Sequence, residues 1–307
     1  SMTASMTHGT TMLPLPYFSP KPALACVHNE HITAFNGVPT MIIAMMQHPD
    51  FEKTDFSHMR IGIMAGSNCP ADLMKEAATG RMGMKEIVSV YGQTEAAPGC
   101  TMSTYSDSLE VRTETVGSAF AHVECKIIDP ETGADCPDGV NGEFVARGYN
   151  IMKGYYKMPQ ATALAIDKDG WLHTGDLARR TPEGYFKITG RIKDMIIRGG
   201  ENIYPKEIED FIYTHPKVKD VQVIGVPDEQ YGEEIMACII LKEGESMTEQ
   251  EMKEYILANM ARHKVPRYID FVTSFPTNAA GKIMKYKMRE QAVEKLGLQK
   301  ADSVETA

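Results

Sequence analysis

Several features are scarce or missing in this 307-residue sequence, and each absence narrows what it can be. No apolar run reaches the roughly 18 residues that a helical membrane span needs. The first residues, Ser1 to Thr11, lack the basic-then-apolar layout of a secretory leader. None of the six cysteines (Cys26, Cys69, Cys100, Cys125, Cys136 and Cys238) forms a CxxC pair, and a chain this long needs no staples. They read as reduced thiols in a cytoplasmic protein. Basic excess is missing too: the net charge is −9, and from Arg191 onward 17 Lys and Arg face 20 Asp and Glu. That excludes nucleic acid as a main partner. No repeat or low-complexity tract is present.

What is there suits a soluble globular protein of two domains, with 43% hydrophobic and 24% charged residues. Methionine is abundant, at 21, and reads first as adaptable core filler. Residues 61–66 read as a buried strand ending in glycine. Pro70 to Ala77 open a helix, with proline suited to the first turn, and Glu86 to Tyr91 form the next strand. Strand, helix, strand implies a parallel α/β sheet. From about Thr115 the texture changes. Val123–Ile128 and Gly142–Arg147 read as strands separated by turns rich in Pro, Gly and Asp, and Asp169-Gly170 and Glu183-Gly184 mark two further hairpins. This stretch predicts antiparallel sheet closed into a small barrel. Beyond Arg191, helices are expected at 205–214, 248–262 and 283–296, with strands at 221–226, 235–241 and 268–272. The expected division is 1–192, large α/β domain with a barrel-like end from about 115, and 193–307, a small α+β domain. The boundary near Lys193 lies inside a strongly patterned segment, which suggests a hinge more than a tether.

Four segments can carry chemistry. Tyr91-Gly92-Gln93-Thr94-Glu95 follows a strand, where α/β sheets bind ligands. A hydroxyl beside a carboxylate can hold a phosphate oxygen and its Mg²⁺, although a capped turn fits the same five residues. Trp171 to Asp176 places an aspartate in a glycine turn, able to accept two hydrogen bonds from a ribose diol or simply to brace the turn. His173 there reads as a packed or exposed histidine, not a catalyst. In the segment Gly190 to Pro205, the paired Gly199 and Gly200 can close a turn or let another molecule lie against the backbone. Asn278 to Lys282 puts a lysine on a glycine-rich tip, ordinarily a solvated position.

Each segment alone is weak, but their order and spacing are specific. Tyr-Gly-Gln-Thr-Glu, then Thr-Gly-Asp, then Gly-Arg-x-Lys-Asp with Gly-Gly-Glu-Asn-Ile-Tyr-Pro, then Gly-Lys near the end, resembles the adenylate-forming superfamily of acyl-CoA synthetases, luciferases and peptide-synthetase adenylation domains. The third segment looks closest to the medium-chain acyl-CoA synthetase branch. The resemblance covers essentially the whole chain, with one departure. The family's Ser/Thr/Gly-rich phosphate loop and its lysine have no match here; His8-Gly9-Thr10-Thr11 is too short and lacks the lysine. The expectation is a chain that begins inside the large domain and has little adenylation activity by itself.

The resemblance implies a ligase that joins a carboxylic or fatty acid to CoA at the expense of ATP, with Mg²⁺. Lys282 would bridge carboxylate and α-phosphate, Glu95 would hold Mg²⁺ and Thr94 would bond phosphate. Asp176 would take both ribose hydroxyls with Arg191 beside them. Tyr91, Gly92 and the Gly66-Ser67 turn would frame the adenine. Lys193 would be the pivot that exchanges the Lys282 loop for Gly199-Gly200, past which pantetheine runs. Delivery to a carrier protein, or nucleotide binding without catalysis, are the competing readings. The acid's chain length and the oligomeric state are not written in these motifs.

Overall fold

The computed structural model describes residues 2–66, 71–278 and 283–299. These form two compact units that part within one strand, at Val88/Ser89. Ser67 and Lys282 lie outside the described residues.

The first unit contains α1 (Met2–His8), α2 (Pro20–Glu30), β1 (Ala34–Gly37), α3 (Pro39–Met46), β2 (Ile61–Ala65), α4 (Ala71–Glu76) and the start of β3 (Glu86–Tyr91). β1 and β2 pair in parallel, from Ala34 opposite Ile61 to Gly37 opposite Met64. Both α2 and α3 carry proline in the first turn, where its missing N–H costs nothing. Met45, Met64, Met74, Met82 and Met84 are all at most 1% exposed, which agrees with methionine as core filler.

The second unit opens with the end of β3, β4 (Thr101–Met102), α5 (Leu109–Glu114) and β5 (Ser118–Ala119), with β3, β4 and β5 antiparallel in that order. Then come β6 (Val123–Ile128), β7 (Gly142–Gly148), α6 (Pro159–Ala165), β8 (Leu172–Arg180) and β9 (Phe186–Arg191). The antiparallel expectation holds for β6-β7-β8-β9, but the expected barrel does not close. Among the described residues the sheet is open, with β6 and β9 at its edges. Four strands are too few to wrap around the side chains of Phe144, Leu172 and Phe186, which instead pack with Ala96 and Cys100 beneath the sheet.

A single turn, Ile192–Asp194, leads into β10 (Ile196–Arg198), β11 (Glu201–Ile203), α7 (Pro205–Tyr213), β12 (Val218–Asp228), β13 (Gly232–Leu241), α8 (Glu249–Leu257), β14 (Tyr268–Phe271) and α9 (Lys285–Leu296). The strands run β11-β10-β13-β12, with β14 parallel to β13. β13 alternates between two cores. Ile235, Ala237 and Ile239 face α7 and α8, while Met236 and Cys238 face Met288 and Ala292 of α9. Covering both faces explains why 235–240 reads as one apolar run instead of an alternating strand. α8 starts at a capping box between Thr248 and Glu251. It stops short of the expected 262, because Asn259 turns its side-chain amide onto the Tyr255 carbonyl at 3.0 Å and satisfies one of the last acceptors.

Candidate functional site

The Thr-Gly-Asp segment is a β-bulge. On β7, Glu143 pairs with Leu177 and Val145 with His173, so the single residue Phe144 of β7 faces three residues of β8. The surplus falls on Thr174, Gly175 and Asp176, and Gly175 supplies a φ of +69°. Thr174 donates its hydroxyl to the Phe144 carbonyl and accepts the Asp176 N–H at 3.1 Å, which ties the bulge down on both sides. A bulge re-aims a side chain out of the pleat, and here that side chain is Asp176.

Asp176 is only 6% exposed. Its Oδ1 lies 2.9 Å from Arg191 Nε, across the β8–β9 register that sets the two residues opposite each other. Its Oδ2 accepts from the Tyr91 hydroxyl at 2.8 Å. A carboxylate oxygen has two lone pairs, so both oxygens can still accept from a ligand. Burial first, and the Asp176 charge second, push the Tyr91 phenol far above its ordinary range, which keeps it a neutral donor. Its ring packs edge-on against Phe144 at 4.9 Å. Tyr91, expected at the adenine, thus joins Asp176 and Arg191, expected together at the ribose, in one constellation.

Beyond β3 the chain turns at Gly92, where a Cβ would sit 2.1 Å from the Pro98 carbonyl oxygen and 2.7 Å from the Gly99 Cα. Only glycine permits that approach. Thr94 and Glu95 follow in a short 3₁₀ turn, Thr94 exposed and Glu95 half-buried. Glu95 Oε1 accepts from the Tyr155 hydroxyl at 2.9 Å, and this bond holds the Tyr155 proton on. Its second oxygen remains available to a ligand. One carboxylate completed by phosphate oxygens is how Mg²⁺ is commonly held, so the donor set fits that ion.

Gly199 and Gly200, with φ of +59° and +85°, close the two-residue turn between β10 and β11, Arg198 opposite Glu201. Positive φ at both central residues is the type I′ requirement. Both glycines are exposed. Behind the turn, Arg198 pairs at 2.8 Å with Glu234, which is 1% exposed. Lys193 is exposed in the turn between β9 and β10. In the first unit, Gly66 has a φ of +88° with Val38 beside it.

Three residues escaped the sequence reading as site components. Glu143, 7% exposed, clamps the bulge: its Oε1 accepts the Gly175 N–H at 3.0 Å and its Oε2 meets His173 Nδ1 at 2.8 Å. Tyr155 braces Glu95. Asn150 donates to the carbonyls of Ala96 (3.2 Å) and Gly99 (2.7 Å), fixing the turn after β3. Glu143 had a signal: a carboxylate inside the apolar run of β7 has to be paired.

Two sequence profiles match the chain. One, described as AMP-binding enzyme, covers residues 1–156, and one described as AMP-binding enzyme C-terminal domain covers 207–282. YngI of Bacillus subtilis (strain 168) is 52% identical over 295 residues, 96% of this chain and 54% of that protein. The mitochondrial medium-chain acyl-CoA ligase ACSF2 of Bos taurus is 45% identical over 295 residues, 96% of this chain and 48% of that protein. The chain thus spans about half the length of the curated relatives it matches. Among solved structures, ATP-bound MatB from Rhodopseudomonas palustris matches with a TM-score of 0.86 at 33% identity, over 94% of this chain and 56% of that one. Apo MatB, at the same coverage, matches with 0.73. The two forms of that protein therefore differ over the stretch this chain resembles.

Proposed function

The chain belongs to the AMP-binding enzyme family, and from that premise we propose that it supplies the nucleotide-binding and thioester-forming half of an acyl-CoA synthetase acting on a carboxylic acid of medium chain length. The reaction would join ATP, the acid and CoA to give acyl-CoA, AMP and diphosphate. The observation that carries the reading is the buried Asp176 carboxylate, held by Tyr91 and Arg191 with lone pairs to spare on both oxygens. A ribose diol is the neutral double donor that such an acceptor fits.

In the first half-reaction, a carboxylate oxygen of the acid attacks the α-phosphorus and diphosphate leaves. Two anions meet, so the protein has to place positive charge where negative charge builds. Lys282 takes that role, with Thr94 bonding phosphate and Tyr91, Gly92 and Gly66-Ser67 framing the base. Mg²⁺ on Glu95 would neutralise phosphate charge. In the second half-reaction the CoA sulfur attacks the acyl carbonyl and AMP leaves. Gly199 and Gly200, free of side chains, would line the pantetheine path after a swing about Lys193. The differing matches to ATP-bound and apo MatB support mobility of this kind. We place the protein in the cytoplasm. The five described cysteines are free, and no helix among the described residues is long and apolar enough to cross a membrane.

The test completes the chain to its relatives' length and measures acid-dependent diphosphate release over acids of graded length. CoA and a phosphopantetheine carrier protein are then offered as acceptors. Release with medium-chain acids and transfer to CoA support the reading. Transfer to the carrier alone would move the protein to the carrier-loading class, and no acid dependence would sink the proposal.

A further inference from the structure

Away from this chemistry, the first unit brings together three potential metal ligands that no step above uses. His31, Asp55 and His58 each present one ligand atom, and these atoms all lie within 4.8 Å of one another. The two imidazole rings are 4.4 Å apart, centre to centre, inclined at 43°. Among the described residues no other group of three such side chains converges in this way.

Local structure explains the convergence. His31 ends α2 in the left-handed conformation, φ +51° and ψ +49°, with its N–H bonded to the Val27 carbonyl. Histidine tolerates that conformation better than most side chains, although glycine is the ordinary choice. The cap turns the ring away from the helix toward the loop that precedes β2. On that loop, Asp55 Oδ1 accepts the Ser57 N–H at 2.8 Å, and the Asp55 N–H donates to His28 Nδ1 at 3.0 Å. His28 and Ser57 therefore orient Asp55 and leave its Oδ2 for another partner. Both histidines are exposed, and water can complete the coordination.

We propose that His31, Asp55 and His58 form a binding site for a divalent transition-metal ion of the zinc, nickel and copper class, separate from any Mg²⁺ on Glu95. Two imidazoles and one carboxylate are borderline ligands that suit these ions and not Mg²⁺, which takes oxygen. Zinc–nitrogen and zinc–oxygen bonds of about 2.0–2.2 Å put tetrahedral ligand atoms roughly 3.3 Å apart. Exposed side chains close the remaining gap by rotation. The ion would clip the end of α2 to the loop before β2. Because the unfolded chain lacks the preformed site, binding would stabilise the folded unit by mass action.

The experiment uses the 307-residue chain, stripped with EDTA, titrated with Zn²⁺ and separately with Mg²⁺, with melting temperature and calorimetry as readouts. Co²⁺ serves as a spectroscopic probe. One Zn²⁺ per chain is expected, raising the melting temperature, with no such effect from Mg²⁺. His31→Asn keeps the left-handed cap and removes the imidazole, and His58→Gln removes the other. Each should weaken Zn²⁺ binding by about tenfold or more while leaving the metal-free melting temperature unchanged. Asp55→Asn should weaken it less. Zn²⁺ affinity unaltered in His31→Asn and His58→Gln would overturn the proposal. So would a thiolate charge-transfer band in the Co²⁺ complex, because it would put the ion on a cysteine.

Discussion

The bulge at Thr174–Asp176 and the hairpin at Gly199-Gly200 both interrupt a β-sheet, and they do so by opposite means. The bulge is built from side chains. Asp176 and Glu143 are buried, and Tyr91, Arg191, His173 and Thr174 occupy their oxygens and flanking amides. The hairpin is built from backbone alone, exposed, with two positive φ values and no side chain at its tip. The first arrangement suits a rigid acceptor for a ligand that stays bound through both half-reactions of the proposed synthetase. The second suits a surface that another molecule passes along. Substitutions that act on one half-reaction only would sharpen the contrast, and substitutions that act equally on both would break it.

The largest effect belongs to Lys282. In a chain completed to its relatives' length, Lys282→Ala should slow adenylation by on the order of 10²–10³, the loss expected for one transition-state charge donor. Thioester formation from pre-made acyl-adenylate should stay within about tenfold, because the proposed role of the lysine is confined to the first step. Rapid-quench measurement of the two steps checks this.

Next comes Asp176→Ala, measured by AMP titration of the 307-residue chain and by ATP affinity in the completed one. Hydrogen bonds to a charged group contribute roughly 1.5–3 kcal/mol, so affinity should fall by about 10- to 100-fold. An unchanged affinity would remove Asp176 from the ribose role.

A smaller effect is expected at the hairpin. Gly200→Ala puts a Cβ into open space but at φ +85°, so only backbone strain of about 1 kcal/mol applies. The melting temperature should drop by a few degrees. Thioester formation should slow several-fold, with adenylation untouched.

A further effect, on stability alone, is a pH dependence in the last sheet. Burial raises the Asp220 carboxyl from 3.8 to about 6. A carboxyl whose folded pKa lies above its unfolded one binds its proton more tightly when folded. It therefore stabilises the fold below about pH 4, and that contribution is lost as pH rises through 6. Asp220→Asn, still able to accept the Val221 N–H, should raise the melting temperature at pH 7 and flatten its dependence between pH 4 and 6. Urea unfolding at several pH values measures both.

Local patterns were legible in the sequence where neighbours in the chain decide the structure. β3 at 86–91 and β6 at 123–128 fall on the expected residues, and α7 starts at Pro205 as its proline dictates. Gly199-Gly200 reads as a turn from its residues alone. What stayed hidden depends on strand partners. The bulge exists only because β7 pairs past it, and the Tyr91–Asp176 bond joins residues 85 positions apart. The barrel was expected from hairpin signals, which specify antiparallel pairing but not closure. His31, Asp55 and His58 carry no spacing motif; a left-handed cap and a loop bring them together.

Lys193 tests most directly the claim that one chain serves two half-reactions with two surfaces. It sits in the single turn between β9 and β10, exposed, where the core beneath Phe144 ends and the core around β13 begins. Proline holds φ near −65°, a value that a 3₁₀ turn already has. Lys193→Pro should therefore keep the arrangement described here, which matches ATP-bound MatB at a TM-score of 0.86, and exclude the alternative. In the completed chain, with an unchanged melting temperature as the folding control, adenylation should remain near normal and thioester formation should fall severely. A stable variant with both half-reactions intact would contradict the account.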